Sequence, residues 1–401
     1  MSLFLHTVPV IEAIRIAREI AMPLGGEEVF LEDAGGRVLA GDIAADVDIP
    51  RFDRSVMDGY AVKASDTVGA GEAIPALLSL KGTVQMGKSP DFVLGDGECA
   101  YIPTGGELPE GSDAVVMIEH SEAIDDQVLV KRPVASGENL IHKGEDFTQG
   151  KAALLKGRRL SPPDIGVLAA VGCSIVPVFQ IPAIGVISTG NELIPVRETP
   201  TGSQIRDSNS VMVGTYLRAA GCRTTLYGIV NDERETLRRV LHTALAENDA
   251  VILSGGSSKD ERDLCADLIG ECGEVLVHGV AIAPGKPTII GRCMGKPVLG
   301  LPGHPASALV VLDRIGRPLL AAMSGESLRS ACMKSAVLAQ NIPSTRGRED
   351  YVRVRLEGEY AIPLFGKSGL LNTLVQSDGI LRIPAGSEGL EKGELIEVIL
   401  W

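Results

Sequence analysis

Apolar runs that stop at a glycine recur three times in this chain. AIGVIST ends at Ser188-Thr189-Gly190, and Glu192 follows at once. VILSGGSSKDERD (Val251 to Asp263) and VLGLPGHPASALVVL (Val298 to Leu312) also run apolar, turn through glycine and lead into polar or helical sequence. Short continuous apolar runs bounded by turn residues suit strands buried on both faces. The helical stretches DSNSVMVGTYLRAAG and DERETLRRVLHTALAEN flank a further strand, TTLYGIV. HPASALVVLDRIGRPLLAAM closes the block as one long helix. Alternation from Pro182 to about Met323 predicts a mostly parallel, doubly wound α/β sheet with helices on both faces.

The pattern differs on either side of this block. TVPVIEAIRIAREI predicts an amphipathic helix with Thr7 as N-cap, Pro9 in the first turn, and Ile11, Ile14 and Ile20 on the buried face. Between about Asp46 and Asp146 the runs are short and broken by glycine and proline, as in GECAYIPTGGELPEG, DAVVMIEH and QVLVKRPV, which predicts a compact β-rich domain. SPPDIGVLAAVG predicts a helix capped by Ser161 with Pro162 at its first position. The final ~75 residues lose the helices. YVRVRLEG alternates strictly there, and later runs pair through glycine turns, so a small β-barrel or sandwich is expected.

Composition narrows the class. The 401 residues exceed one typical domain, and because aromatics make up only 3%, the cores must be aliphatic. A formal net charge of −14 argues against a general nucleic-acid or membrane surface. Seven cysteines without a CxxC pair suggest neither a disulfide framework nor a zinc ribbon, and Cys265 and Cys272 fall on one helical face as buried thiols. No run approaches the ~20 apolar residues of a membrane span. Charged residues interrupt the N-terminus where a signal peptide would be apolar, so a cytoplasmic setting is expected.

In an open parallel sheet, ligands sit beyond the carboxyl ends of the strands, the edge on which all three glycine turns would lie. Glycine lets a ligand approach the backbone, and helix amino ends attract phosphate. Ser188, Thr189, Ser254, Ser257 and Ser258 would add hydroxyl donors. Glu192, Asp232 and Asp263 would repel an anion unless a hard cation intervened, and Mg²⁺ shares carboxylate and phosphate oxygens in this way. Glu192 is thus placed to hold a metal or polarise a water beside a phosphate. Each loop taken singly also reads as an ordinary turn, and Asp263 as a helix N-terminal acid. GEDFTQGKA lacks the spacing and hydroxyl of a P-loop, and no GxGxxG, GxSxG or HExxH occurs. His304, flanked by glycine and proline, reads as an exposed, rigidly held ring.

FDRSVMDGYAV, PTGGELPEGSDAVVM, GEDFTQG, STGNEL, RDSNS, SGGSSKDERD, APGKP and LPGHPASA together, in this order, resemble the molybdopterin molybdotransferase family, that is, the bacterial MoeA proteins and the gephyrin E domain. The resemblance implies four subdomains. On this chain they fall at 1–45 with 149–180, at 46–148 (the inserted β-rich domain), at 181–325 (the α/β molybdopterin-binding domain) and at 326–401 (the C-terminal β-barrel). It also implies an elongated homodimer with sites formed between subunits, and an extended chain of subdomains leads us to expect that the partner's barrel reaches the α/β loops. The implied reaction inserts molybdate, or tungstate, into adenylylated molybdopterin, with Mg²⁺ assisting the release of AMP. Asp58, Thr104, Asp146 and Glu192 match catalytic positions, and Glu192, Asp232 and Asp263 match a metal set. Ser188, Thr189, Gly190, Asp207, Asn209, Ser254, Gly255, Gly256, Ser258, Lys286, Gly303, His304 and Pro305 match the substrate-binding loops. Pro284, Ser307, Arg348 and Ser368 match the region expected to hold molybdate, where a guanidinium and hydroxyls suit a tetrahedral oxyanion.

Three positions depart from the commoner family pattern. His304 stands for asparagine in LPGNP, Ala283 for a lysine before PGKP, and GGSSKDE for GGVSVGD, where Lys259 supplies a cation from another side. A molybdopterin adenylyltransferase and apo-molybdoenzymes are the expected partners. Two other classes compete: a non-catalytic molybdopterin-binding scaffold, and an unrelated α/β phosphohydrolase that would turn over simple nucleotides.

Overall fold

The computed structural model describes residues 7–255, 259–328 and 332–401, with backbone alone for 259–263. The first helix, α1 (Val10–Glu19), starts at Pro9 with no side-chain cap, so Thr7 is not its N-cap. Its buried face is Val10, Ala13 and Ala17, whereas Ile11 is 72% exposed. Small residues let α1 lie close against other helices, and they win the core face over the larger isoleucine. This face belongs to the α/β core, while residues 26–44 share a core around Leu39, Leu168 and Val178 with the segment after the inserted domain. The expected segment 1–45 therefore contributes to two cores.

Gly26–Phe30 pairs antiparallel with Ile175–Phe179, and Ile43–Ala44 with Ala152–Leu154, so the chain leaves and re-enters this unit around an insertion. The re-entry helix α2 (Pro162–Ala170) has the expected Ser161 cap: Ser161 and Asp164 form a reciprocal capping box. The insertion holds a six-stranded sheet ordered 114–117, 59–62, 98–102, 76–83, 127–130 and 121–124. Alternating residues of its strands feed two apolar clusters, Tyr60 and Val116 into one, Ala61 and Val115 into the other.

The α/β domain is built from β1 (Ala183–Thr189), α3 (Asn209–Ala219), β2 (Arg223–Val230), α4 (Arg234–Glu247), β3 (Ala250–Gly255) and α5 (Lys259–Cys272), followed by β4 (Gly273–His278), β5 (Ile282–Ala283), β6 (Ile289–Cys293), β7 (Lys296–Leu301), α6 (Pro305–Val311) and α7 (Arg317–Met323). The sheet runs β2-β1-β3-β7-β6-β4; the first four strands are parallel and the β6/β4 end is antiparallel. Ile184 and Val186 face a core shared with α1, α3 and α6, whereas Ile187 faces α4 and α5, so both faces are covered. The expected single closing helix is broken: a π-helical turn at Leu312–Gly316 separates α6 from α7.

The C-terminal unit is a barrel rather than a sandwich. Strands β8 (Met333–Leu338), β9 (Glu349–Glu357), β10 (Tyr360–Pro363), β11 (Gly379–Ile383) and β12 (Leu395–Leu400) run in the order β9-β10-β8-β12-β11, and β9 pairs with β11 to close it. β5 leaves the α/β domain to pair parallel with β9, Ile282 opposite Glu349 and Ala283 opposite Asp350. This short ladder locks barrel and α/β domain of one chain together. Among the described residues no helix is long and apolar enough to cross a membrane.

Candidate functional site

The parallel register decides where the glycine turns fall. Thr189 lies opposite Gly255 and Ser254 opposite Leu301, so all three strands end on one edge. At Gly190 the backbone takes φ +151°, and a Cβ there would sit 2.8 Å from Glu192 Oε2. Glycine thus permits both the turn and the close packing of the Glu192 carboxyl over it.

Two depressions open on this edge and meet at Gly303 and His304. The smaller, about 160 Å³, is lined by Glu192, Asp207, Asn209, Ser254, Gly255 and Pro305. Asn209 Nδ2 donates to Ser254 Oγ (3.1 Å) and to Gly303 O (2.7 Å), tying the second glycine turn to the third. Its Oδ1 is buried without a partner, as is Ser188 Oγ. Buried polar atoms are seldom left unpaired, and of these two only Asn209 lines the depression; Ser188 lies beneath the edge and lines neither depression. The half-buried Glu192 carboxylate has no hydrogen-bond partner among the described residues.

The acids divide by environment. Asp232 accepts from Thr189 Oγ1 (2.6 Å) and from the Asn191 amide (3.0 Å), one donor on each oxygen. It clamps the first glycine turn, a structural role beside its expected place in the metal set, since each oxygen keeps a further lone pair. Asp207 is buried and accepts the Ser210 amide at 3.0 Å, so it caps the start of α3. Gly256, Ser257 and Ser258 lie outside the described residues, as do the side chains of Lys259 and Asp263. Among the described residues no three His, Cys, Asp or Glu side chains come together to hold a metal. Glu192 alone fits Mg²⁺ in the manner of sites that use one carboxylate, waters and substrate phosphate oxygens.

The larger depression, about 430 Å³, is a cleft between the α/β domain and the barrel of the same chain. Pro284, Lys286, Ser307, Arg348 and Ser368 all line it. The expectation that a partner's barrel supplies Arg348 and Ser368 is therefore corrected: the β5/β9 ladder holds them against their own chain's loops. The physical reason is backbone pairing over adjacent residues, which fixes Arg348 one position before the ladder. Arg348 Nε donates to the buried Asp350 at 2.8 Å, and Asp350 also accepts from Ser344. A guanidinium has five N–H donors, so the rest remain for an anion. Gly285 (φ +128°) turns the loop where a Cβ would meet Val311 Cγ2 at 2.6 Å. Lys286 is exposed beside it with no side-chain partner among the described residues. His304 Nδ1 lies 2.8 Å from Ser368 Oγ, and the Ala306 amide donates to Ser368 O at 3.1 Å. Arg346 also lines the cleft and was not singled out from sequence; its only signal was the charge-dense TRGRED run.

Asp58, Thr104 and Asp146 line neither depression. Asp58 and Thr104 do meet each other: Asp58 Oδ1 accepts both the Thr104 amide (2.7 Å) and its hydroxyl (2.9 Å). Those bonds, the amide's first, hold the Asp58 carboxyl below the usual aspartate range. Asp146 is exposed on the same inserted unit.

Fold and site together define a multidomain α/β protein with two joined depressions at the carboxyl edge of a parallel sheet, one of them closed on its far side by a β-barrel. Comparison with known proteins places it further. Residues 8–172 match the MoeA N-terminal region (domain I and II), 185–322 the probable molybdopterin binding domain, and 335–401 the MoeA C-terminal region (domain IV). The molybdopterin molybdenumtransferase of Bacillus subtilis is 32% identical, covering 98% of this chain and 94% of its own, and that of Staphylococcus aureus is 31% identical over 98% and 96%. A crystal structure of the molybdopterin biosynthesis MoeA protein of Pyrococcus horikoshii superposes with a TM-score of 0.84 at 32% identity, covering 98% of this chain and 100% of that one. The chain belongs to the MoeA family.

Proposed function

We propose that this protein is a molybdopterin molybdenumtransferase of molybdenum cofactor biosynthesis, inserting molybdate or tungstate into adenylylated molybdopterin with release of AMP. The observation that carries the reading is the junction at Gly303 and His304. It joins a pocket of polar groups unmet by the protein to a cleft lined by Arg348, Lys286, Ser307 and Ser368. A phosphorylated pterin and a tetrahedral oxyanion can lie end to end across it. Arg348, oriented by Asp350, supplies planar paired donors for the oxyanion, with the serine hydroxyls beside it. Glu192 would hold Mg²⁺, which would supply charge neutralisation beside the phosphate. Glu192, free of protein partners, orients a water beside the adenylyl phosphate.

The protein acts as a cytoplasmic homodimer in this reading. The partner's inserted domain brings Asp58, Thr104 and Asp146 to the edge, because their own chain's depressions do not include them. Substrate arrives from a molybdopterin adenylyltransferase, and the product passes to apo-molybdoenzymes. A scaffold would have no use for an unpartnered carboxylate beside an anion pocket, which favours catalysis over the non-catalytic alternative.

The test is incubation of purified protein with adenylylated molybdopterin, Mg²⁺ and either oxyanion, following AMP. Oxyanion-dependent AMP release is expected. Binding without release would favour the scaffold, and turnover of simple nucleotides would favour a phosphohydrolase.

A further inference from the structure

A third depression lies at the opposite, amino edge of the parallel sheet and shares no lining residue with the other two. It is a cleft of about 370 Å³ between the 26–44 segment and the α/β domain. Arg37, Arg159, Arg218 and Arg223 line it, and no acidic residue does among the described residues. In a chain of net charge −14 such a concentration of guanidinium groups is not the surface average.

The four arginines are not alike. Arg159 buttresses the cleft across both walls, donating from Nη1 to Gly36 O (2.9 Å) and from Nη2 to Ala220 O (3.2 Å), with Glu326 as its counter-ion at 2.6 Å. Arg37 donates to Phe179 O at 2.7 Å and pairs with Glu27. These two are neutralised and serve as walls. Arg218 has only a 3.3 Å contact to Thr215 Oγ1, and Arg223 has no side-chain partner among the described residues. Two positive charges are therefore left without carboxylates.

The carboxyl end of α3 faces the same cleft and counts for about half a negative charge. Arg159 already answers it at Ala220 O, so Arg218 and Arg223 remain in excess. A phosphate monoester carries about −1.5 to −2 charges near neutral pH, matching two free guanidinium forks in charge and in geometry. The rest of the lining includes Val38, Phe179, Ile181 and Pro182, which suits an apolar or flat body rather than a bare ion. The volume falls within the range of small-molecule pockets.

We propose that this amino-edge cleft is a second anion site, taking a phosphate monoester with a heterocyclic body through Arg218 and Arg223. A nucleoside monophosphate is the natural probe. The site is independent of the carboxyl-edge chemistry, although the AMP released there belongs to the same ligand class.

The experiment is equilibrium dialysis of AMP against the full-length protein and an Arg218→Gln/Arg223→Gln variant, with inorganic phosphate and adenosine as competitors. The expected result is two AMP per wild-type chain, with roughly tenfold or greater weakening of one of them in the double variant. Phosphate should displace that AMP, and adenosine should not. Thermal midpoints of the variants verify folding, and the single Arg223→Gln variant, which breaks no side-chain bond among the described residues, should give the same direction of effect. A single AMP in wild type that is lost in the double variant still supports the cleft, and it counts against the carboxyl-edge reading alone. An AMP count unchanged by the arginine substitutions overturns the inference. It is equally overturned if those substitutions alter only the oligomeric state, which would assign the arginines to a protein interface.

Discussion

His304 Nδ1 and Ser368 Oγ are 2.8 Å apart, and this contact ties the third glycine turn of the α/β edge to the barrel loop opposite. The same ring borders both depressions. His304 therefore positions Ser368 at the boundary that, in the proposed function, divides pterin from oxyanion. His304→Ala should raise the KM for molybdate about two- to tenfold, the value of one hydrogen bond, and leave kcat with saturating oxyanion little changed. His304→Asn keeps a polar partner for Ser368 and should recover most of the loss. Equal KM in all three proteins would separate the contact from oxyanion binding.

Glu192 and Asp232 follow the ends of the adjacent strands β1 and β2 on the same edge and should respond oppositely. Asp232→Ala strips partners from Thr189 Oγ1 and the Asn191 amide, so it should destabilise the fold by about 1–3 kcal/mol. Glu192→Gln breaks no bond among the described residues and should change stability by under about 0.5 kcal/mol while AMP release falls sharply. Melting curves paired with an AMP assay distinguish them. A stable Asp232→Ala protein would leave Asp232 its place in the metal set alone.

The placement of Arg348 against its own α/β domain has a consequence for mixed dimers. Coexpressed Glu192→Gln and Arg348→Ala chains should show no rescue, because each site then carries one defect. Asp58→Asn with Arg348→Ala should restore about a quarter of wild-type activity: half the dimers are mixed, and one site of each collects both defects. Differential tags verify pairing. Rescue in the first combination would mean that barrels are exchanged between subunits.

Acid should weaken the barrel at the strand that meets the α/β domain. Glu349 sits in the β5/β9 ladder and receives Arg382 Nε and Nη2 at 2.8 Å each, together with the Tyr351 hydroxyl at 2.8 Å. Burial works to raise its pKa, but these bonds outweigh it and hold the carboxyl below the ordinary glutamate range. A pKa depressed by folding stabilises the protein above the unfolded value, and that contribution disappears as pH falls through the folded value. The Tm gap between wild type and Glu349→Gln should thus be widest near neutrality and close below about pH 4. A gap that stays constant on acidification would assign the effect to shape rather than charge.

Much of this protein could be read before its coordinates. Strands ending in glycine, helices between them, the Ser161 cap and the β-rich insertion are all local signals, because burial on one or both faces writes a period of two or 3.6 into the chain. Cys265 is buried on α5 as its spacing indicated, whereas Cys272, expected to be buried with it, is only half-buried at the helix end. The ordered motifs carried the family, since each records a backbone turn or a ligand contact at a set place along the chain. Where local signals competed, they misled. Ile11 is larger than Ala13, yet helix–helix packing favoured the small residue, and no periodicity marks the π turn inside the last helix.

The remaining features depend on residues far apart in sequence. Arg348 joins Ser307 in one cleft because β5 leaves one domain to pair with a strand of the next, and hydrogen-bonded register has no echo in residue type. Asp232 resembles Glu192 as a carboxylate at a strand end. Only the donors around it, Thr189 and the Asn191 amide, make it a clamp and leave Glu192 unpaired. The arginines at 37, 159, 218 and 223 carry no common motif, and it is the packing of the first segment against α3 that gathers their charge into one cleft. Composition and periodicity specify what each segment buries; which segments then face each other is set by packing across the whole chain, and chemistry resides at those contacts.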